Sequence, residues 1–208
     1  TSPAELLAYA RDVAHLDFAA LTDGGGALPH NPGWEEAQRA VIAASVTGRF
    51  VALKGWEIQM GTDGHRNAIY RDAEVEGHVE ADAFRDASIA GAAGARGMRG
   101  VLEHFRGRDD LLLIPHHPLV WMNWDAYDPA LDRLVEIYSC WGSSETEGND
   151  LWDKASPPRQ SVRWALSRGY RLGFVGGGDS HTRYAGPSLP DADRYRFARF
   201  RAGFTGVW

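Results

Sequence analysis

The 208-residue chain is predicted to form one α/β domain with a mostly parallel sheet and crossover helices, open or closed into a barrel. Three observations lead there. Short apolar strands alternate with helical segments from end to end. No linker or internal repeat divides the chain. Finally, 44% apolar and 24% charged residues make an ordinary globular balance, with enough chain for a sizeable core.

The elements follow in order. Ser2-Pro3-Ala4-Glu5 has the form of a capping box with proline at the first helical position, and Leu6, Leu7, Ala10, Val13 and Ala14 continue at helical spacing. Phe18 to Leu21 reads as a buried strand ending in Thr22-Asp23 and a glycine turn. Asn31-Pro32 starts a helix over Trp34 to Val46. Phe50 to Leu53 is a strand running toward Glu57, and Asn67 to Arg71 is another, entered from Gly64-His65-Arg66. The alanine- and glycine-rich stretch from Glu80 to Arg108 reads as helical in pieces. Leu111 to Ile114 is a strand stopped by Pro115-His116-His117-Pro118, and Leu134 to Tyr138 is the next. Pro158 to Arg168 is a helix begun by proline, and Leu172 to Val175 is a strand entering Gly176 to His181. Gly203 to Trp208 reads as a strand stopped in mid-course, and the chain is expected to be a piece trimmed at both ends.

Composition excludes several roles. Lysine plus arginine (22) against aspartate plus glutamate (28) gives a net charge of -6, which disfavours nucleic acid as a partner. No apolar run approaches the ~20 residues of a membrane helix. The partner expected is a small-molecule substrate. Cys140 is the only cysteine, so an intrachain disulfide and a thiolate zinc site are both impossible. The compartment stays open, with the cytoplasm favoured.

The chemistry collects at strand ends. Asp23 follows the first strand, Glu57 the second, and His65 sits in the loop beyond. His116 and His117 follow the Leu111 strand, Glu136 lies within the next, and Asp179 and His181 follow the last. Parallel sheets bind ligands at this edge because successive loops converge there. Imidazole and carboxylate without thiolate suit zinc, manganese or iron, and the set is large enough for two ions, though not by much. Each residue also has a structural reading. Glu57 is a surface glutamate if no site forms, His65 a turn cap, and one of His116 and His117 a loop histidine. Glu136, among apolar neighbours, either faces solvent or is held by a site partner. His15, His30, His78 and His104 have no strand-end placement. Trp121, Trp124, Tyr138 and Trp141 either fill the core or wall a substrate pocket. Cys140 reads as a small buried residue. The run Gly176-Gly177-Gly178 lacks the lysine of a phosphate loop and suits a turn beside a metal.

These motifs resemble the PHP (polymerase and histidinol phosphatase) superfamily. Leu16 to Asp23 is similar to its strand-plus-TDH motif. Gly55-Trp56-Glu57 with Gly64 to Asn67 is similar to its glutamate motif. Pro115 to Pro118, Val135 to Ser139 and Gly178 to His181 follow in the family's order, and Glu136 to Glu145 looks most like the DUF3604 branch. The resemblance implies a distorted (β/α)7 barrel over residues 1–208, here without its first strand, and metal-dependent hydrolysis, most often of phosphate esters. It implies Glu57, His65, one of His116 and His117, Asp179 and His181 as metal ligands. We take His116 as that ligand, and Asp23, His117 and Asp179 as catalytic groups. Two features depart from the family. Its His-x-His pair has no counterpart in the chain, and Gly24 stands where a histidine should follow Asp23. They make a binding module on an eroded cluster the alternative to an enzyme.

Overall fold

The computed structural model describes residues 2–22, 32–75, 97–149, 158–179 and 201–207. Helix α1 (Pro3–Asp12) begins as the sequence predicts: the Ser2 hydroxyl accepts from the Glu5 amide, and the Ser2 amide donates to the Glu5 carboxylate at 2.9 Å. It ends before Val13, which is exposed rather than packed. Strand β1 (Phe18–Leu21) follows, then α2 (Pro32–Ala44), β2 (Val51–Gln59), β3 (His65–Tyr70) and α3 (Gly97–Phe105). The later elements are β4 (Leu111–His116), β5 (Leu134–Ser139), the short β6 (Gly142–Ser143), α4 (Val162–Ser167) and β7 (Gly173–Gly176).

The barrel is not observed. The described strands form two open sheets, in the orders β1-β2-β3-β4 and β6-β5-β7. Nor are they mostly parallel: β1 with β2 and β5 with β7 are parallel, whereas β2–β3, β3–β4 and β5–β6 are antiparallel. The reason lies between Gln59 and His65. A parallel return needs a crossover of a dozen or more residues, and only five separate these strands. Met60 to Gly64 instead make a tight reversal, with the Met60 amide donating to the Gly64 carbonyl and both Gly61 and Gly64 at positive φ.

This reversal sorts the side chains of the larger sheet. Register pairs Glu57 with Asn67, Gln59 with His65, and His65 with His116. Successive residues of a strand point to opposite faces, so Glu57, Gln59, His65, Asn67 and His116 share one face. The opposite face carries Trp56, Ile58, Ala68, Tyr70, Leu111 and Leu113. It packs on Trp34 and on Met98, Val101, Leu102 and Phe105 of α3. A second apolar cluster joins α1 and α2 to β1 and β2 through Leu7, Ala37, Val41 and Phe50. Asp63, in the reversal, accepts from the Met98 amide at the start of α3 and from the Asn123 side chain, so one turn also anchors the helix and the connection after β4.

Residues 201–207 run beside β7. The Gly203 amide donates to the Gly177 carbonyl at 2.8 Å, and the Thr205 hydroxyl bridges the Gly176 amide and carbonyl. They form no ladder of their own, contrary to the strand expected there.

Candidate metal centre

Three strand ends and one loop meet on the polar face. Glu57 comes from the end of β2, His65 from the start of β3, and His116 with His117 from the end of β4. Asp179 lies three residues beyond β7 and Glu136 within β5. His116, His117 and Glu136 are each 5% exposed or less. Asp23 and His181 lie outside the described residues.

Glu57 is the hub. Its Oε1 lies 2.8 Å from His65 Nδ1, 3.7 Å from His116 Nε2 and 3.7 Å from His117 Nε2. Its other oxygen accepts from the Gln59 amide at 2.9 Å. Asp179 Oδ2 lies 3.3 Å from His116 Nε2 and 3.9 Å from His117 Nε2. The rings are close, with centroids 3.9 Å apart for His116–His117 and 4.8 Å for His65–His117.

Two overlapping groups of donors result. Glu57, His65 and His117 form one, and His116, His117 and Asp179 the other; within each, ligand atoms lie within 4.8 Å of one another. Tetrahedral zinc with bonds of ~2.0–2.2 Å sets its ligand atoms about 3.4 Å apart, so the wider separations in each group must shorten to close on an ion. These groups could hold a metal ion. The fit has a second sign in Asn67 Oδ1, which shares the face of Glu57 and is buried without a hydrogen-bond partner, whereas the unpartnered Nδ1 atoms of His116 and His117 are on the sides of their rings away from Glu57 and Asp179. Such atoms are costly unless something satisfies them. Asn67 was not among the residues predicted for the site; its place opposite Glu57 became visible only with the antiparallel register.

The charges of the cluster act on one another. Burial alone would raise the Glu57 carboxyl, but the nearby His117 ring, the His65 hydrogen bond, the His116 charge and Gln59 hold it far below the usual carboxylate range. Burial would lower His116, yet the charges of Glu136 and Asp179 hold it well above an ordinary imidazole. His117 is pushed down, by burial and then by the neighbouring His116 charge. Burial also opposes the ionised Asp179, and the His116 charge overcomes it. The set thus favours charged Glu57 and Asp179 carboxylates and a protonated His116 between them.

The remaining candidates separate. Burial, then the charges of Asp179 and Glu136, push the Cys140 thiol up to about 12, so it is not a nucleophile at neutral pH. Its Sγ donates to the Asp179 carbonyl at 3.0 Å. Trp124 is core; Trp121 is half exposed; Trp141 places its ring 5.7 Å from that of His117. His15 is exposed, and His104 packs edge-on against Phe105. Two residues of the centre, His117 (φ 30°) and Asp179 (φ 44°), are non-glycine residues at positive φ, as are His15, Trp121 and Arg159 elsewhere.

No protein-family model matches the chain. An uncharacterized protein of Chlamydia pneumoniae is 25% identical over 186 residues, covering 82% of this chain and 28% of that protein. An uncharacterized protein of Chlamydia trachomatis serovar D is 43% identical over 63 residues, covering 27% of this chain and 10% of that one. The chain therefore spans less than a third of the length of these curated relatives. Among solved structures, PsfC from Pseudomonas syringae PB-5123 is similar over 86% of this chain and 67% of its own, with a TM-score of 0.45 and 15% identity. No helix among the described residues is long and apolar enough to cross a membrane.

Proposed function

We propose that the protein is a metal-dependent hydrolase acting on a small-molecule phosphate or carboxyl ester. The observation that carries the reading is the convergence of Glu57, His65, His116, His117 and Asp179 into two adjoining donor groups on one buried face. The motif order that resembles the PHP superfamily supports the same chemistry. A divalent zinc, manganese or iron ion would supply a water of pKa ~7 and polarise the phosphoryl or carbonyl oxygen.

The chain's own residues do the rest. Glu57, His65 and Asp179 contribute donors from separate elements, so the centre is held by the sheet rather than by one loop. Gln59 fixes the Glu57 carboxylate through its outer oxygen, leaving Oε1 toward the imidazoles. His117 is held below an ordinary imidazole by burial and the His116 charge, which favours the neutral ring that a metal ligand or a general base requires; as a ligand it exchanges no proton with the leaving group. The net negative charge of the chain does nothing to attract an anionic ester, so attraction is local to the centre.

Purified protein should carry zinc, manganese or iron by elemental analysis and hydrolyse model phosphate or carboxyl esters. Chelator and Asp179→Ala should each abolish turnover. Metal without turnover would support the binding-module reading, and turnover unaffected by both treatments would refute a metal-dependent hydrolase.

A further inference from the structure

Glu136 approaches the centre without joining either donor group, and its contacts suggest a different task. One carboxylate oxygen, Oε1, lies 3.0 Å from His116 Nδ1 and also accepts from the His117 backbone amide at 3.2 Å. The opposite nitrogen of His116, Nε2, is the one aimed at Asp179 and Glu57. One oxygen therefore lies against the back of one ring and accepts from the backbone of the next residue, itself held at positive φ. The other oxygen, Oε2, lies against Gly177, where an added Cβ would collide with it. The glycine run after β7 thus makes room for this carboxylate.

We propose that Glu136 is a positioning residue: it fixes His116 with Nδ1 facing the carboxylate and Nε2 facing the cation, and it clamps the His116–His117 backbone so that both rings reach the centre. The proposal rests on the metal-centre reading above. A carboxylate behind a ligating imidazole sets its tautomer and orientation, and losing such a partner typically weakens metal affinity 10–100-fold.

The test uses Glu136→Ala and Glu136→Gln, since glutamine keeps an oxygen that can accept from the His117 amide and face His116 Nδ1. Zinc affinity is measured by competition with a chromophoric chelator, folding by cooperative thermal unfolding, and the His116 Nδ1 proton by nitrogen-edited NMR with and without zinc. Glu136→Ala should lose roughly 10–100-fold in zinc affinity and the protected Nδ1 proton, while Glu136→Gln recovers most of both. Wild-type affinity in folded Glu136→Ala overturns the proposal. So does equal weakness of both variants with no Nδ1 proton in wild type, the pattern of a direct ligand. Should Glu136→Ala fail to fold, the proton signal in wild type and Glu136→Gln decides. Wild-type protein that takes up no zinc refutes the metal centre instead, and the same signal in the metal-free protein still shows whether Glu136 holds the ring.

Discussion

At His116 two neighbours pull on one imidazole. Glu136 faces Nδ1 and Asp179 faces Nε2, and together they hold a proton on a ring that burial alone would keep neutral. A metal must displace that proton. Zinc affinity should therefore rise from pH 6 to pH 8, with net proton release detectable by calorimetry in buffers of different ionisation enthalpy. Binding without proton release would contradict the assignment. Stability of the metal-free chain follows the same groups. The contributions of Glu57 and Asp179, both lowered, are present above the ordinary carboxylate range and lost as pH falls through their depressed values. That of His116, which is raised, is present below ~6.5 and lost as pH rises through its elevated value. A second residue-scale outcome concerns Gly177. Gly177→Ala displaces the Glu136 carboxylate, and zinc affinity should fall by about tenfold with cooperative unfolding retained.

Among the elements, β3 matters most. It brings His65 and Asn67 beside Glu57 and holds His116 in register on its other side. The reversal feeding it depends on Gly64 at φ 85°, where a Cβ would meet the Trp121 carbonyl and Met122 Cα at 3.1 Å. Gly64→Ala should cost about 1–3 kcal/mol of unfolding free energy and weaken zinc binding too, because His65 follows directly. Phe105→Ala on α3 is the contrast. It opens a cavity on the apolar face and should cost about 3–5 kcal/mol by denaturant unfolding, with zinc affinity of the folded fraction unchanged. The sequence showed most elements through apolar runs and caps, which are local signals. It did not show that β3 runs antiparallel, because strand direction depends on whether a connection turns back or crosses over. Gly64-His65-Arg66 looks the same in either case until Met60 to Gly64 are recognised as a complete turn.

For the whole molecule, the expected barrel gives way to two open sheets, yet the predicted rim residues that can be placed still gather. Strand-end position and residue type singled out Glu57, His65, His116, His117 and Asp179, whose donor atoms the structure brings close, because those cues survive a change of strand direction. Asn67 and the role of Glu136 stayed hidden, since each depends on a cross-strand or cross-sheet neighbour. Between the elements runs a buried pair, Arg66 on β3 with Asp132 before β5, at 2.9 Å. Arg66 also donates to the Ala126 carbonyl and contacts Met122, tying the β4–β5 connection to the strand that carries His65. Asp132→Ala would leave a buried guanidinium uncompensated and should destabilise the chain by about 3–5 kcal/mol.

The central claim is that separate strand ends grip a cation, and an anomalous-scattering map of crystals grown with zinc tests it most directly. A peak is expected within about 2.0–2.2 Å of donor atoms from Glu57, His65 and His117, or from His116, His117 and Asp179. A map with no peak there, or with ions held only by other residues, would contradict it.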